Sequence, residues 1–123
     1  MIDWGQIFYG AALSAVLAGA AVALLWRERS PAVLTATVAA AFLGPLAWNA
    51  ILHRAATPGD GFFVDIPFKP FPISWQDTGS GVFALATAFV LLGLTLRREP
   101  AVRVLGLATT AAVVALVVDV YFY

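Results

Sequence analysis

The stretch RAATPGDGFFVDIPFKPFPISWQDTGS, Arg54–Ser80, decides how the chain is read. It is the only long break in an otherwise apolar sequence, and it separates two similar hydrophobic hairpins. The part from Phe62 to Ile73 is too apolar to float in water and too rich in proline for a helix or a central strand. It predicts an extended, turn-rich outer loop over 54–73, lying on a membrane surface or capping the helices. One reading is a lid that packs on its own helices. A second is a docking surface for a partner, since an exposed apolar patch of this kind marks an interaction site. A third is a lid over a lipid or small-molecule pocket. In the docking or lipid-contact readings, Phe62, Phe63, Phe68, Phe71 and Trp75 are the contact residues.

Downstream, Ser74-Trp75-Gln76-Asp77 has the Ser-x-x-acid form of a capping box and predicts a helix start. A span then runs over about 74–96, and Arg97-Arg98-Glu99-Pro100 turns the chain into a last span over about 100–121. Upstream, a span over about 6–26 ends at Arg27-Glu28-Arg29-Ser30-Pro31, where Ser30 suits an N-cap and Pro31 the first helical position. The next span covers about 31–52 and contains Gly44-Pro45, where a kink is expected because the ring clashes with the Ala41 carbonyl. On the first span Ala11, Ala15, Gly19 and Ala23 recur every four residues, a smooth stripe that lets a second backbone approach closely in lipid. The two turns resemble each other, as an internal duplication or the shared demands of a short basic turn would make them.

With 62% hydrophobic and 11% charged residues, the 123-residue chain cannot cover a soluble surface; soluble chains carry roughly 25% charged residues. Each apolar stretch is about 20 residues, the length that crosses a hydrocarbon core of about 30 Å. The expectation is one all-α integral membrane domain over 1–123: a four-transmembrane-helix bundle of two hairpins with one structured extracytoplasmic loop. The N-terminus lacks the basic n-region of a signal peptide, so the first span is read as retained. There are no cysteines for disulfides or thiolate metal sites. A net charge of zero gives no support for nucleic-acid binding.

Five of the seven basic residues (Arg27, Arg29, Arg97, Arg98 and Arg103) sit in or beside the two short turns. The positive-inside rule therefore places both turns in the cytoplasm and both termini, with the long loop, outside. Trp4, Phe8, Tyr9, Trp48, Trp75, Tyr121 and Tyr123 then gather at the outer interface, and Trp26 alone marks the inner one. The composition is compatible with a bacterial inner membrane.

Thr37, Ala41, Pro45, Asn49 and His53 share a drifting face of the second span. An amide in hydrocarbon needs a partner, and for Asn49 the carbonyl freed by Pro45 or a neighbouring helix offers one. The bland reading is structural hydrogen bonding. The functional one groups Asn49, His53 and Asp119, with Asp3 or Asp77, into an outer polar pocket for a ligand or a proton. A single histidine among scattered aspartates is a weak metal signal, so no metal or cofactor is expected. Asp119 would by default raise a functional hypothesis, but near the end of its span it can reach water or Arg54.

No ionisable residue lies in the central part of any span, which argues against a proton-driven pump. The first span also lacks the acid carried there by small four-span multidrug transporters. No Gly-rich phosphate loop, His-Glu-x-x-His or Ser-His-Asp set is present, and no enzyme activity is expected. These features point to a membrane protein in contact with the lipid bilayer and with a protein partner or further copies of itself. It would act as an accessory or assembly subunit of a larger membrane complex, docking through the loop and the small-residue faces. The alternative is an oligomeric protein that binds or transports a lipid or small hydrophobic molecule, with the loop as lid.

Overall fold

A computed structural model describes residues 3–55 and 74–122. They form four helices: α1 (Trp4–Leu25), α2 (Pro31–Ala55), α3 (Trp75–Thr95) and α4 (Ala101–Phe122). Each is long and apolar enough to cross a membrane, and at 1.5 Å per residue they are about 31–38 Å long. The chain is an all-α, multi-pass bundle. The span limits expected from sequence fall within a few residues of these ends. The loop 54–73, with Phe62, Phe63, Phe68 and Phe71, lies outside the described residues apart from Arg54 and Ala55.

Each end has a local cause. At α1, Asp3 caps the helix by accepting the Gln6 N–H at 3.0 Å. At α3 the expected capping box is present in both directions: the Ser74 Oγ accepts the Asp77 N–H, and the Asp77 carboxylate accepts the Ser74 N–H. Pro31 opens α2, and Pro100 immediately precedes α4, where a missing N–H costs nothing. After α1 the chain reverses at Arg27, whose φ of 51° lies in the left-handed region. The Glu28 N–H then returns to the Val22 carbonyl, and the Arg29 guanidinium takes the Ala23 carbonyl at 2.8 Å.

In the ring of helices α1 and α3 each pack against α2 and α4, and α2 touches α4 across the centre. Among the described residues α1 and α3 do not meet. Small side chains make this possible. Gly44 faces the α3 backbone so closely that an added Cβ would lie 2.6 Å from the Ala84 Cα. In lipid, apolar burial alone does not hold helices together, and close backbone packing helps to do so. α2 remains helical through Pro45.

The buried face of α1 is Ile7, Gly10, Ala11, Ser14, Ala15, Ala18 and Val22. It advances by threes and fours, whereas the stripe read from sequence advances only by fours. Four residues at 100° each overshoot a turn by about 40°. By Gly19 and Ala23 the stripe has therefore rotated to the half-buried flank, where Gly19 still abuts Val38 of α2.

The core divides along the bundle axis. Toward the turns it is mostly apolar, built from Ala18, Val22, Val33, Ala40, Ala88, Leu92, Leu107 and Ala111 among others, with the Thr37 hydroxyl turned onto the Val33 carbonyl of its own helix. Toward the other end, here the loop end, Ser14, Asn49, Gln76, Asp77, Ser80 and Asp119 are buried. The turn end is closed at its surface. Arg103 pairs with Glu28 of the first turn and, at 3.0 Å, with Glu99 of the second. Beside it the Trp26 indole lies over Gly106 and donates to the Thr110 hydroxyl at 3.0 Å.

Candidate functional site

The polar residues of the loop end converge on one side chain, Gln76. The capping box fixes the first turn of α3, and in that turn Gln76 points into the bundle and is 2% exposed. Its amide has two N–H donors, and both have acceptors. One goes to the Asn49 Oδ1 of α2 at 3.0 Å, the other to the Asp119 Oδ2 of α4 at 3.3 Å. A single amide thus ties three helices together. A primary amide suits this position because it supplies two donors from one atom in fixed, planar geometry.

Asn49 completes its own needs locally. Its Nδ2 donates to the Pro45 carbonyl at 2.9 Å, one turn back on α2. This is the carbonyl of the proline itself, not the one the proline frees, while the other option read from sequence, a neighbouring helix, is met at the Asn49 Oδ1 by Gln76 of α3. The i−4 position lies directly below Asn49 on the same helix face, and a carbonyl has two lone pairs, so it can take a side-chain donor as well. Asn49 has no exposed surface, and Asp119 is only 2% exposed. Asp119 therefore turns inward to Gln76.

Trp48 buttresses the cluster from outside. Its indole N–H donates to the Gln76 backbone carbonyl at 2.9 Å, its ring sits 5.2 Å from that of Phe83, and its flat face rests on Gly79. A Cβ at Gly79 would lie 2.0 Å from the indole.

The other sequence candidates go elsewhere. His53, one turn beyond Asn49, stacks on Trp4 of α1 with ring centroids 4.6 Å apart. Trp4 in turn approaches Phe8, and Phe8 approaches Phe42, so His53 belongs to an aromatic seam between α1 and α2. Asn49 and Asp119 are thus brought into one cluster through Gln76, and His53 is engaged on a different face. Asp3 and Asp77 serve as helix caps. Trp75 is 58% exposed and points outward. Phe62, Phe63, Phe68 and Phe71 lie outside the described residues.

Gln76 is the residue the sequence reading missed. Its signal was present: Gln76, Ser80, Ala84, Ala88 and Leu92 follow each other at i+4, and all are buried. A polar residue at the head of a small-residue row is a polar residue aimed inward. One turn below it, the Ser80 Oγ is buried and has no hydrogen-bond partner among the described residues, as is the Ser14 Oγ on α1.

Chemically the arrangement is a carboxylate and two amides hydrogen-bonded to one another in a buried interior. Among the described residues no group of three or more His, Cys, Asp or Glu is placed to hold a metal ion. No protein-family model, curated protein or solved structure matches the chain.

Proposed function

We propose that the protein is an accessory or assembly subunit of a larger membrane complex, docking through the surface its own bundle leaves uncovered. One observation carries this reading. Exposed aromatic residues crowd the loop end, where Trp4, Phe8, Tyr9, Trp75, Tyr121 and Phe122 all face outward, against Trp26 beside the turns and Phe89 in the turn-side half of α3. An interfacial belt favours both ends of a span, so the lopsidedness asks for a further cause. The Phe- and Pro-rich segment 54–73 joins α2 to α3 at that same end. The interior supports the reading too, because Gln76, Asn49 and Asp119 are bonded to one another and the backbones are in close contact. Recognition is left to the outside.

The basic turns support an orientation with both turns cytoplasmic, and with the termini and the segment 54–73 extracytoplasmic, in a bacterial inner membrane. Cysteines introduced as Ser30→Cys and Gly61→Cys test it with an impermeant thiol reagent on intact cells. Gly61→Cys should label and Ser30→Cys should not; the reverse pattern inverts the orientation.

The docking role is tested by native mass spectrometry of the protein extracted from its own membrane in mild detergent. A stoichiometric larger partner is expected, released by Phe62→Asp, Phe63→Asp, Phe68→Asp or Phe71→Asp. A homo-oligomer holding lipid between α2 and α4 would favour the lipid-binding alternative. A monodisperse monomer without partner or lipid would overturn both.

A further inference from the structure

A second surface feature lies at the opposite end from the aromatic crowding. Between the start of α2 and the end of α3 runs an outward-facing groove of about 480 Å³. Its walls are Ala32, Thr35, Ala36 and Ala39 on α2 and Leu91 and Leu94 on α3. The small residues set the depth and the leucines make the far wall. From Pro31 to Ala39 the groove is about 12 Å long, close to the depth of one leaflet of a core about 30 Å thick. The Thr95 hydroxyl, at its mouth, is turned back onto the Leu91 carbonyl at 2.8 Å, so the lining stays apolar.

The mouth opens onto a second depression formed by Leu94–Glu99, which includes Arg97 and Arg98. The basic residues of this end differ in how they are used. Arg103 is held by Glu28 and Glu99, and Arg29 donates to the Ala23 and Glu28 carbonyls. Arg97 and Arg98 are exposed, and among the described residues neither pairs with a carboxylate. Two free guanidinium groups therefore stand where an apolar groove reaches the end of a membrane-length helix.

We infer that the α2–α3 groove is a binding site for one anionic phospholipid, with an acyl chain between Ala36 and Leu91 and the phosphate held by Arg97 and Arg98. The two halves of the site match the two halves of the ligand. A hydrocarbon chain fills the gap that α2 and α3, closely packed at Gly44 and Ala84, leave open at their turn end. Planar guanidinium groups take phosphate oxygens in pairs. A zwitterionic lipid carries the same phosphate but brings its own cation, which these arginines would repel. The site is independent of the docking role, since it lies at the other end of the bundle and uses none of the residues proposed for it.

The test is native mass spectrometry of the full chain released from nanodiscs of phosphatidylglycerol and phosphatidylcholine with matched acyl chains. One phosphatidylglycerol should be retained in preference to phosphatidylcholine. Arg97→Gln and Arg98→Gln should each weaken retention about fivefold. Arg27→Gln removes the same charge from the same end of the bundle and should leave retention unchanged. Thr35→Leu with Ala39→Leu keeps every charge, fills the groove and should abolish it. An unchanged melting temperature in each variant shows that the fold is intact. Equal loss with Arg27→Gln would mean a diffuse field attracts the lipid, and would overturn the site. Equal retention of the two lipids would overturn it, as would a dimer that seats a second copy in the groove and excludes lipid.

Discussion

The two ends of this bundle are fastened in opposite ways. At the turn end the fastening is ionic, where the partly exposed Arg103 bridges the buried Glu28 and the exposed Glu99 over a mostly apolar, alanine-rich core. At the loop end it is a buried cluster of amides and one carboxylate, joining α2, α3 and α4 through Gln76. Each end also has a tryptophan lying on a glycine of the next helix, Trp26 on Gly106 and Trp48 on Gly79. The difference is one of dielectric. Charges near water lose little when separated, since water solvates each of them. Buried acceptors that lose their donor find nothing to replace it.

Gln76→Ala should therefore be the most damaging substitution. It leaves the Asn49 Oδ1 and the Asp119 Oδ2 without this donor in a buried interior, and it opens a hole between three helices. The expected loss is about 3 kcal/mol, since an unsatisfied buried group costs about 1–3 and more when charged. Single interhelical hydrogen bonds in membranes average only about 0.6 kcal/mol, because the separated helices find other partners. A loss near that lower figure in detergent unfolding would show that the cluster is no stronger than an ordinary pair, and the contrast between the ends would vanish.

Next in size is a paired substitution at the two tryptophan seats. Alanine improves helix propensity over glycine by about 1 kcal/mol, so any loss measures the clash. At Gly79 the new Cβ meets the indole of Trp48, which is pinned by the Gln76 carbonyl and packed against Phe83. Gly79→Ala should lose about 2 kcal/mol net. At Gly106 the Cβ meets the far edge of Trp26, which is 42% exposed and free to swing outward. Gly106→Ala should be close to neutral, with loss of the Trp26–Thr110 bond visible in the indole N–H resonance. Equal losses at the two positions would mean that the two seats are equally rigid.

Much of the architecture was legible because it depends on local patterns. The four spans follow from apolar length, and the Ser74–Asp77 capping box follows from a four-residue motif that closes on itself. The candidate site was only half legible. Asn49 and Asp119 stand out as polar residues in apolar runs, but what they bond to depends on how α3 rotates. Gln76 lies within the capping motif, so its neighbours explained it as part of a helix start. The Glu28–Arg103 pair is 75 residues apart in sequence. The turn chemistry told only that both belong to one side, not that they touch. His53 was grouped with Asn49 by spacing, yet a step of four residues turns the helix face enough for it to meet α1 instead.

At the turn end the effect of Glu28→Gln should be under about 1 kcal/mol near neutral pH. The carboxyl of Glu28 is held below its ordinary value of 4.5, chiefly by the Ser30 N–H, with further help from the Arg29 N–H and Arg103. Glu99, which shares Arg103, is the other acid facing it. A lowered value in the folded protein means that this stabilisation is complete above about pH 4.5 and is lost as pH falls through the folded value. The wild type should therefore lose stability on acidification more steeply than Glu28→Gln, with the two converging at low pH. Parallel curves would show that the bridge adds nothing to the fold.

The smallest effect separates backbone from side chain at that same end. Arg27 adopts a left-handed φ of 51°, a conformation that costs a residue with a Cβ about 1–2 kcal/mol and costs glycine little. Gly is the usual residue at this position after a helix. Its extra freedom in the unfolded chain offsets part of the relief, so Arg27→Gly should raise stability by about 0.5 kcal/mol. The gain should appear as slower unfolding of the α1–α2 hairpin in hydrogen exchange at the Glu28 amide, which closes the turn onto Val22. If stability falls instead, the Arg27 side chain contributes more at this turn than its backbone strain removes. The turn end would then rest on a fourth charge as well as on the Glu28–Arg103–Glu99 bridge.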